Sequence, residues 1–278
     1  MFWKKKTSET EPENNELRAV AVTDTGCARA HNEDSVRFIQ PSASVLRKRM
    51  GCLAIVADGM GGHASGEVAS SVAVETIASE YYRLKRKPVK ALEAAARLAN
   101  EKIWSRAVQN QALKGMGTTC TAVAIVGRSL SVLHIGDSRV YLLKKERLIQ
   151  LSEDHTYVQD LVRLGKITPE EATDHPDGNI LTKSLGTAPK RECDIFQTAQ
   201  QFEPGDKLML CSDGLYEYFS TDELAVLLQE RDLADISEQL SSMVLEFGAR
   251  DNFSLLLVEY RREPAIDNMP TRAIITEQ

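Results

Sequence analysis

The chain has 278 residues, 42% of them hydrophobic and 27% charged, which is the composition of a folded protein of one large or two modest domains. A formal net charge of -6 argues against general binding to nucleic acid or anionic membranes, because such binding needs a surplus of lysine and arginine. No apolar stretch approaches the roughly 18 residues of a membrane-spanning helix, and the five cysteines form no C-x-x-C pair, so we expect a soluble, cytoplasmic protein with reduced thiols.

The first half of the chain predicts short strands followed by two long helices. Residues 1–16 carry polar and charged side chains and are expected to be a solvated, flexible tail. Apolar residues three and four positions apart predict a helix from Ser65 to about Leu84 and a second helix after Pro88. Short β-rich runs bounded by turn residues predict strands over 17–24, 35–40 and 52–58.

The second half predicts more strands, an elaborated surface segment and two further helices. Residues 155–190 are polar and are expected to form a flap with two short helices, at 157–164 and 168–172. The capping box Ser220-x-x-Glu223 opens one later helix, and another is predicted over 234–247, before a tail at 262–278. The predicted strands cover 118–126, 130–135, 140–143, 148–151, 193–198, 207–211 and 253–260. Strands and helices come in blocks, which favours an α+β fold built on antiparallel sheet.

Acidic residues stand where several of these apolar strands begin or end. They are Glu33, Asp34, Asp58, Asp137, Asp213 and Asp251. Strand ends of one sandwich lie together, and clustered carboxylates beside a core do not all stay ionised unless a cation neutralises them. Ligands that are all oxygen select Mg²⁺ or Mn²⁺, whereas the histidines and cysteines have no spacing typical of zinc sites.

Two phosphate-binding motifs are present only in part and are not completed by the residues that follow them. Residues 59–64 resemble the start of a dinucleotide-binding loop, but a helix follows where that motif needs a second strand ending in an acid. Gly61-x-x-x-x-Gly66 is followed by Glu67 and not by lysine, which excludes a Walker-type phosphate loop. No cysteine has an arginine six positions later, which disfavours a cysteine nucleophile.

The acidic motifs, taken in order, resemble those of the metal-dependent protein phosphatase 2C family over roughly residues 18–260. The form of the second motif is similar to that of the bacterial branch. The matching residues are Asp24-x-Gly26-x-x-Arg29-x-x-Asn32-Glu33-Asp34, Asp58-Gly59-Met60-Gly61-Gly62-His63, Gly117-Thr118-Thr119, Gly136-Asp137-Ser138-Arg139, Ser212-Asp213-Gly214-Leu215 and Arg250-Asp251-Asn252.

This resemblance implies a four-layer α/β/β/α sandwich of two antiparallel sheets flanked by helices, with two Mn²⁺ or Mg²⁺ ions at one end. It implies a catalytic domain over 17–261. Asp58 would bridge both ions, Glu33 and the Gly59 carbonyl would bind one ion, and Asp213 and Asp251 would bind the other.

Three further positions have roles that the resemblance implies. Asp137, together with Asp213, matches the position that binds a third ion in bacterial relatives. Asp34 would accept a hydrogen bond from water on the metal, and Arg29 would bind the substrate phosphate. Where many eukaryotic members have histidine after the metal-binding Asp-Gly, this chain has Met60, which carries no proton. The acid that protonates the leaving group is therefore either a water molecule on the metal or a nearby residue such as His63.

We therefore expect a metal-dependent phosphatase that hydrolyses phosphoserine and phosphothreonine in proteins and opposes a serine/threonine kinase in signalling. The expected partners are phosphorylated proteins and that kinase, with no nucleic acid and no transmembrane segment, and we expect a monomer. Two alternatives remain: a catalytically silent regulator that binds phosphopeptides on the same fold, and a metallohydrolase of small phosphate esters.

Overall fold

Two antiparallel sheets form the centre of the computed structural model, which describes residues 15–61, 64–173, 175–229 and 232–262. The strands, in chain order, are β1 (Asn15–Asp24), β2 (Asp34–Ile39), β3 (Cys52–Met60), β4 (Gly117–Thr118), β5 (Cys120–Val126), β6 (Ser129–Ile135), β7 (Arg139–Lys144), β8 (Arg147–Gln150), β9 (Asp194–Gln201), β10 (Lys207–Cys211) and β11 (Phe253–Arg262). One sheet has the order β1-β11-β10-β7-β8, and the other has the order β2-β3-β5-β6-β9 with β4 paired to β3.

The described residues contain eight α-helices. They are α1 (Ser44–Met50), α2 (Ala64–Leu84), α3 (Pro88–Gln109), α4 (Tyr157–Arg163), α5 (Pro169–Thr173), α6 (Asp213–Tyr216), α7 (Thr221–Leu227) and α8 (Leu233–Glu246). The long helices α2 and α3 pack on the sheet that contains β3, and α7 and α8 pack on the sheet that contains β11. The Ser220–Glu223 capping box is formed as predicted.

Alternation along the central strands explains this layered arrangement. In β3, Leu53 and Ile55 belong to the core under α2 and α3, whereas Ala54 and Val56 belong to the core between the two sheets. Successive side chains of a strand point to opposite faces, so a strand that is apolar at every position must be covered on both sides. The predicted α+β, four-layer α/β/β/α sandwich is confirmed, with one core between the sheets and one under each helical layer.

The structure corrects the predicted boundaries in several places. Residues 44–50 form α1 and residues 213–216 form α6, neither of which was predicted. Strand β1 begins at Asn15 and β11 ends at Arg262, so both predicted tails overlap these strands at their inner edge. Residues 1–14 and 263–278 lie outside the described residues, as does His63.

Two expectations from composition can be compared with the described residues. Within these ranges, no helix combines the length and the apolar character needed to cross a bilayer. All five cysteines are free, but only three of them are buried, because Cys27 is exposed and Cys193 is half-buried.

Candidate active site

Strand pairing brings the first pair of acids together. In the antiparallel register of β2 and β3, Asp34 at the start of one strand lies directly opposite Asp58 near the end of the other. Like charges that face each other across a strand pair are destabilising. The pairing of the two strands is therefore set by their apolar residues, because repulsion between the two acids would disfavour it.

The second sheet contributes two more acids at the same end of the sandwich. Strands β10 and β11 are antiparallel, with Cys211 opposite Leu255, so Asp213 just after β10 and Asp251 just before β11 are brought to one edge. The Ser212 hydroxyl, between the two sheets, donates to Asp34 Oδ2 at 2.8 Å and accepts from the Ser254 N–H at 2.9 Å. Ser212 thus holds an acid of one sheet against a strand of the other.

Asn252 positions the loop that carries Glu33. Its Oδ1 accepts from the Glu33 N–H at 2.9 Å, while its Nδ2 donates to the carbonyl oxygens of Thr25 and His31, each at 2.9 Å. The Gly59 N–H also donates to the Glu33 carbonyl at 3.1 Å. A side chain at Gly66 would collide with the Glu33 carboxylate, so the close approach of α2 to this loop requires glycine.

Hydrogen bonds through two hydroxyl groups connect the turn that carries Asp137 to the backbone of Asp58. Asp137 lies in the turn between β6 and β7, and Ser138 Oγ beside it is 2.7 Å from Thr119 Oγ1. Thr119 Oγ1 also accepts from the Asp58 N–H at 2.9 Å. Both hydroxyls are buried, and this chain of bonds fixes the ends of three strands relative to one another.

One cavity of about 670 Å³ collects nearly all the predicted site residues. Met60 lies in its wall beside Gly59, so a side chain that has no proton to donate occupies this part of the site. Asp34 is not part of the wall and lies buried behind Asp58. The predicted residues that line the cavity are Arg29, Glu33, Asp58, Gly59, Asp137, Asp213 and Asp251.

Four of these acids, Asp34, Asp58, Asp137 and Asp213, form what we call the acid cluster. Loss of solvation, with a smaller contribution from the charges of Asp213 and Asp251, raises the pKa of Asp34 to about 7. Burial likewise holds the pKa of Asp58 and that of Asp137 well above the usual aspartate range, with Asp213 adding repulsion in both cases. The pKa of Asp213 is raised for the same reasons, desolvation first and then the charge of Asp251.

Hydrogen bonding in the acid cluster is incomplete. Asp34 Oδ1 is, within the described part of the chain, the buried side-chain oxygen that has no hydrogen-bond partner. The carboxyl groups of Asp58 and Asp213 interact with each other, which adds to the raised pKa of Asp58. Buried polar atoms normally have hydrogen-bond partners, so a buried acid oxygen that lacks one favours the binding of a cation nearby.

The acids are close but are not arranged as ligands of one ion. Among the described residues, no group of three or more His, Cys, Asp or Glu side chains already has a metal-binding arrangement. Asp251 instead accepts a hydrogen bond from Arg29 Nη2 at 2.6 Å, and this pair is exposed, with 58% of the Arg29 side chain accessible. The predicted phosphate-binding arginine is therefore at the cavity mouth, but it contacts a predicted metal ligand.

Sequence reasoning missed the residues that hold the acids in place. No role was predicted for Thr119, Ser138, Ser212 or Asn252, although all four occur within the matched motifs. The available signal was a small hydroxyl or amide residue beside an acid at a strand end, since such groups satisfy backbone and carboxylate atoms locally. His134 is a hydrogen-bonded core residue, with partners Thr121 Oγ1 and the Glu153 carbonyl, each at 2.9 Å.

Comparison with known proteins places this chain in one family. The family model described as Protein phosphatase 2C matches residues 27–252. The serine/threonine protein phosphatase PstP of Mycobacterium tuberculosis is 37% identical over 247 residues, which are 87% of this chain and 45% of the relative. The serine/threonine phosphatase stp of Listeria innocua is 35% identical over 87% of this chain and 96% of its own length.

A solved structure supports the same placement. The catalytic domain of a serine/threonine protein phosphatase PstP, in complex with two manganese ions, aligns with a TM-score of 0.76 at 35% identity, over 89% of this chain and 100% of that one. The chain spans less than half the length of the mycobacterial relative, so the match covers only part of that protein. The chain belongs to the protein phosphatase 2C family, and the predicted resemblance to its bacterial members is confirmed.

Proposed function

We propose that this protein hydrolyses phosphoserine and phosphothreonine in proteins in a reaction that depends on Mn²⁺ or Mg²⁺. The observation that carries the proposal is the acid cluster, whose buried carboxyls have raised pKa values and include an oxygen without a partner. Acids in that state are relieved by a cation of matching hardness. The relatives' names support the phosphatase activity, and the manganese complex of PstP supports the choice of ion.

The donor set fits two hard ions. Asp58 would bridge both ions, Glu33 and the Gly59 carbonyl would bind one, and Asp213 and Asp251 would bind the other, since all offer oxygen ligands around one cavity. Asp137 lines the same cavity and would bind a third ion together with Asp213. When bound, such ions supply a nucleophilic water of lowered pKa and positive charge that offsets the phosphoryl oxygens.

The side chains at the cavity mouth would bind the substrate. The guanidinium of Arg29 offers a planar fork for two phosphate oxygens, and its bond to Asp251 Oδ2 uses Nη2 and leaves its other N–H groups as donors for phosphate. Asp34 is buried beside Asp58 and would hold or accept a proton at its unpartnered Oδ1. Met60 offers no proton, so protonation of the leaving group falls to another donor at the mouth.

The wider assignments follow from the same proposal. The catalytic domain covers about residues 17–261, and the segment 155–190 is a flap on the substrate side, because its Asn179 and Leu181 line the cavity. The partners would be phosphorylated proteins, with a serine/threonine kinase catalysing the opposing reaction. Reduced cysteines support a cytoplasmic location, and we propose a monomer.

The test uses metal-depleted protein and a phosphothreonine peptide, with released phosphate as the measured product. We expect no turnover in excess EDTA and full recovery with Mn²⁺ or Mg²⁺; persistent turnover without metal would refute the proposal. A silent regulator would instead bind the phosphopeptide without releasing phosphate. A hydrolase of small esters would have a higher kcat/KM for p-nitrophenyl phosphate or nucleotides than for the peptide.

A further inference from the structure

Two buried histidines lie directly behind the turn that carries Asp137. The rings of His134 and His155 are 4.9 Å apart between centroids and tilted by 30°, and both residues are buried. Together with Thr121 and Asp194, whose side chains contact these rings, they form what we call the histidine cluster. None of its members was predicted to take part in the site.

His155 is bonded to the residue that precedes Asp137. The Gly136 N–H donates to His155 Nδ1 at 3.1 Å, and the His155 N–H donates to the Gly136 carbonyl at 2.8 Å. Because Nδ1 accepts this bond, the ring proton is on Nε2, which is 3.3 Å from Asp194 Oδ2. Both ring nitrogens therefore have defined partners, and the ring is held in one tautomer.

The Gly136 peptide is confined on two sides, by Thr119 and by the His155 ring. Its φ is +102°, a conformation that other residues rarely adopt, and a Cβ there would be 2.5 Å from Thr119 Cγ2. Thr119 thus confines the peptide on one side, and the His155 ring holds its N–H on the other. The next residue, Asp137, is only 6% exposed and lines the cavity.

The same histidine connects this turn to the flap. The His155 carbonyl accepts from the Thr182 N–H at 2.8 Å, and Thr156 pairs with Leu181 in an isolated bridge. Leu181 lines the cavity together with Asp137. His155 therefore lies where the Asp137 turn and the cavity-lining part of the flap meet.

We propose that His155 is a positioning residue: through its Nδ1 it holds the Gly136 peptide so that the Asp137 carboxylate faces the cavity as a cation ligand. This inference rests on the proposed function, which assigns Asp137 to a divalent ion. The ring touches neither substrate nor reacting atoms. Its predicted effect is on the affinity of the site that Asp137 serves, while the two sites that Asp58 would bridge keep theirs.

Two substitutions separate the two ring nitrogens. In His155→Asn, Oδ1 takes the place of Nδ1 and can accept from Gly136, but no donor reaches Asp194. In His155→Gln, the amide reaches the position of Nε2 and can donate to Asp194, but no acceptor remains near Gly136. Asn and Leu have the same branching and similar size, so His155→Leu is a further variant that lacks the acceptor.

The measurement is calorimetric titration of Mn²⁺ into metal-depleted protein, accompanied by hydrogen exchange of the Gly136 amide. We expect His155→Gln to weaken the weakest Mn²⁺ site by about tenfold and to speed Gly136 exchange, and we expect His155→Asn to stay within about threefold of the wild type. Equal loss in both variants, loss only in the asparagine variant, or no loss in either would overturn the inference. If the glutamine variant did not fold, His155→Leu against His155→Asn would decide in the same way.

Asp137→Asn in the same titration distinguishes failure of the inference from failure of the proposed function. If it weakens the weakest site while His155→Gln does not, His155 has no positioning role and the assignment of Asp137 stands. If it leaves every Mn²⁺ site unchanged, the assignment of Asp137 is wrong, and the inference falls with it. Asp194→Asn is the control, and it should leave both Mn²⁺ affinity and Gly136 exchange unchanged.

Discussion

The acid cluster and the histidine cluster are neighbours, yet their polar groups are satisfied to very different extents. In the histidine cluster each ring nitrogen has a partner within 3.3 Å. In the acid cluster an oxygen of Asp34 has none, and Asp58 and Asp213 are forced together by the strands that carry them. Structural polar clusters satisfy their own atoms, whereas a site that awaits a ligand leaves them unsatisfied.

A chain of hydrogen-bond contacts connects the two clusters. Thr121 Oγ1 is 2.7 Å from the Ser138 carbonyl oxygen and 2.9 Å from His134 Nδ1, two acceptors that share its single hydroxyl proton while His134 is neutral, and Ser138 Oγ is 2.7 Å from Thr119 Oγ1. The satisfied cluster therefore serves as a rigid support for the unsatisfied one. Substitutions in the two clusters should consequently have opposite effects on stability, and the following experiments test that contrast.

The largest effect is expected for Asp213→Asn. Removing this charge takes a ligand from the proposed ion pair, so kcat with Mn²⁺ should fall by about a thousandfold or more. Without metal, the same change relieves repulsion and should raise the melting temperature by a few degrees. Phosphate release and calorimetry in EDTA measure the two effects.

The control for that experiment is Asp222→Asn, at an exposed position of α7. It should leave turnover unchanged and should not raise the melting temperature, because it removes a stabilising negative charge from the first turn of α7. Wild-type turnover by Asp213→Asn, or a lower melting temperature without metal, would contradict the interpretation of the acid cluster as electrostatically strained.

A smaller loss is expected for Asp137→Ala. The protein should keep two tightly bound ions by metal analysis, lose about ten- to a hundredfold in turnover, and need more added Mn²⁺ to recover activity. Loss of all bound metal would instead make Asp137 a ligand of the primary pair. Full activity would leave Asp137 as an ordinary residue of the turn between β6 and β7.

The contribution of the histidine cluster to the free energy of unfolding should change with pH in the opposite direction to that of the acid cluster. Burial lowers the pKa of His134 to about 3, against 6.5 for the free side chain, so the unfolded chain binds a proton below pH 6.5 that the folded chain does not. The free energy of unfolding is therefore highest above pH 6.5 and should fall by about 1.4 kcal/mol per pH unit as the pH drops toward 4.

Urea denaturation at pH 7 and pH 5 measures this slope, with His134→Gln as the variant that cannot titrate. Between those pH values the wild type should lose about 2 kcal/mol more than the variant. The variant's own stability at pH 7 does not enter the comparison. Equal losses would mean that His134 takes up its proton in the folded state, which contradicts its satisfied, neutral state.

The smallest effect is expected at the cavity mouth. Arg29→Ala should raise KM for a phosphopeptide by about tenfold with a lesser change in kcat, because the proposed role of the fork is to bind the substrate phosphate, and Asp251, which it contacts in this structure, keeps its carboxylate. Arg29→Lys should recover only part of the loss, since lysine keeps the charge but not the planar geometry. Arg37→Ala, at an exposed position of β2, is the control, and equal kinetics for it and Arg29→Ala would make Arg29 an ordinary surface residue.

The sequence by itself determined the layers and the identity of the site acids. The continuous apolar run of residues 52–57, the three-and-four spacing of α2 and the capping box at Ser220 depend on neighbours in the chain, so local patterns predict them. Acids at strand ends follow from the same patterns, which is why Asp58, Asp137 and Asp213 could be expected in one cavity, whereas the presence of Arg29 there was implied only by the resemblance to the phosphatase family.

Only the tertiary structure decided how those acids are held and charged. The opposition of Asp34 to Asp58 depends on register, and the bonds of Ser212 to Asp34 and of Arg29 to Asp251 join residues 178 and 222 positions apart. The bond between His155 and Gly136 likewise depends on where two turns meet in space. Such contacts depend on packing between sheets, and desolvation of a carboxyl depends on everything around it, so no local pattern in the sequence records them.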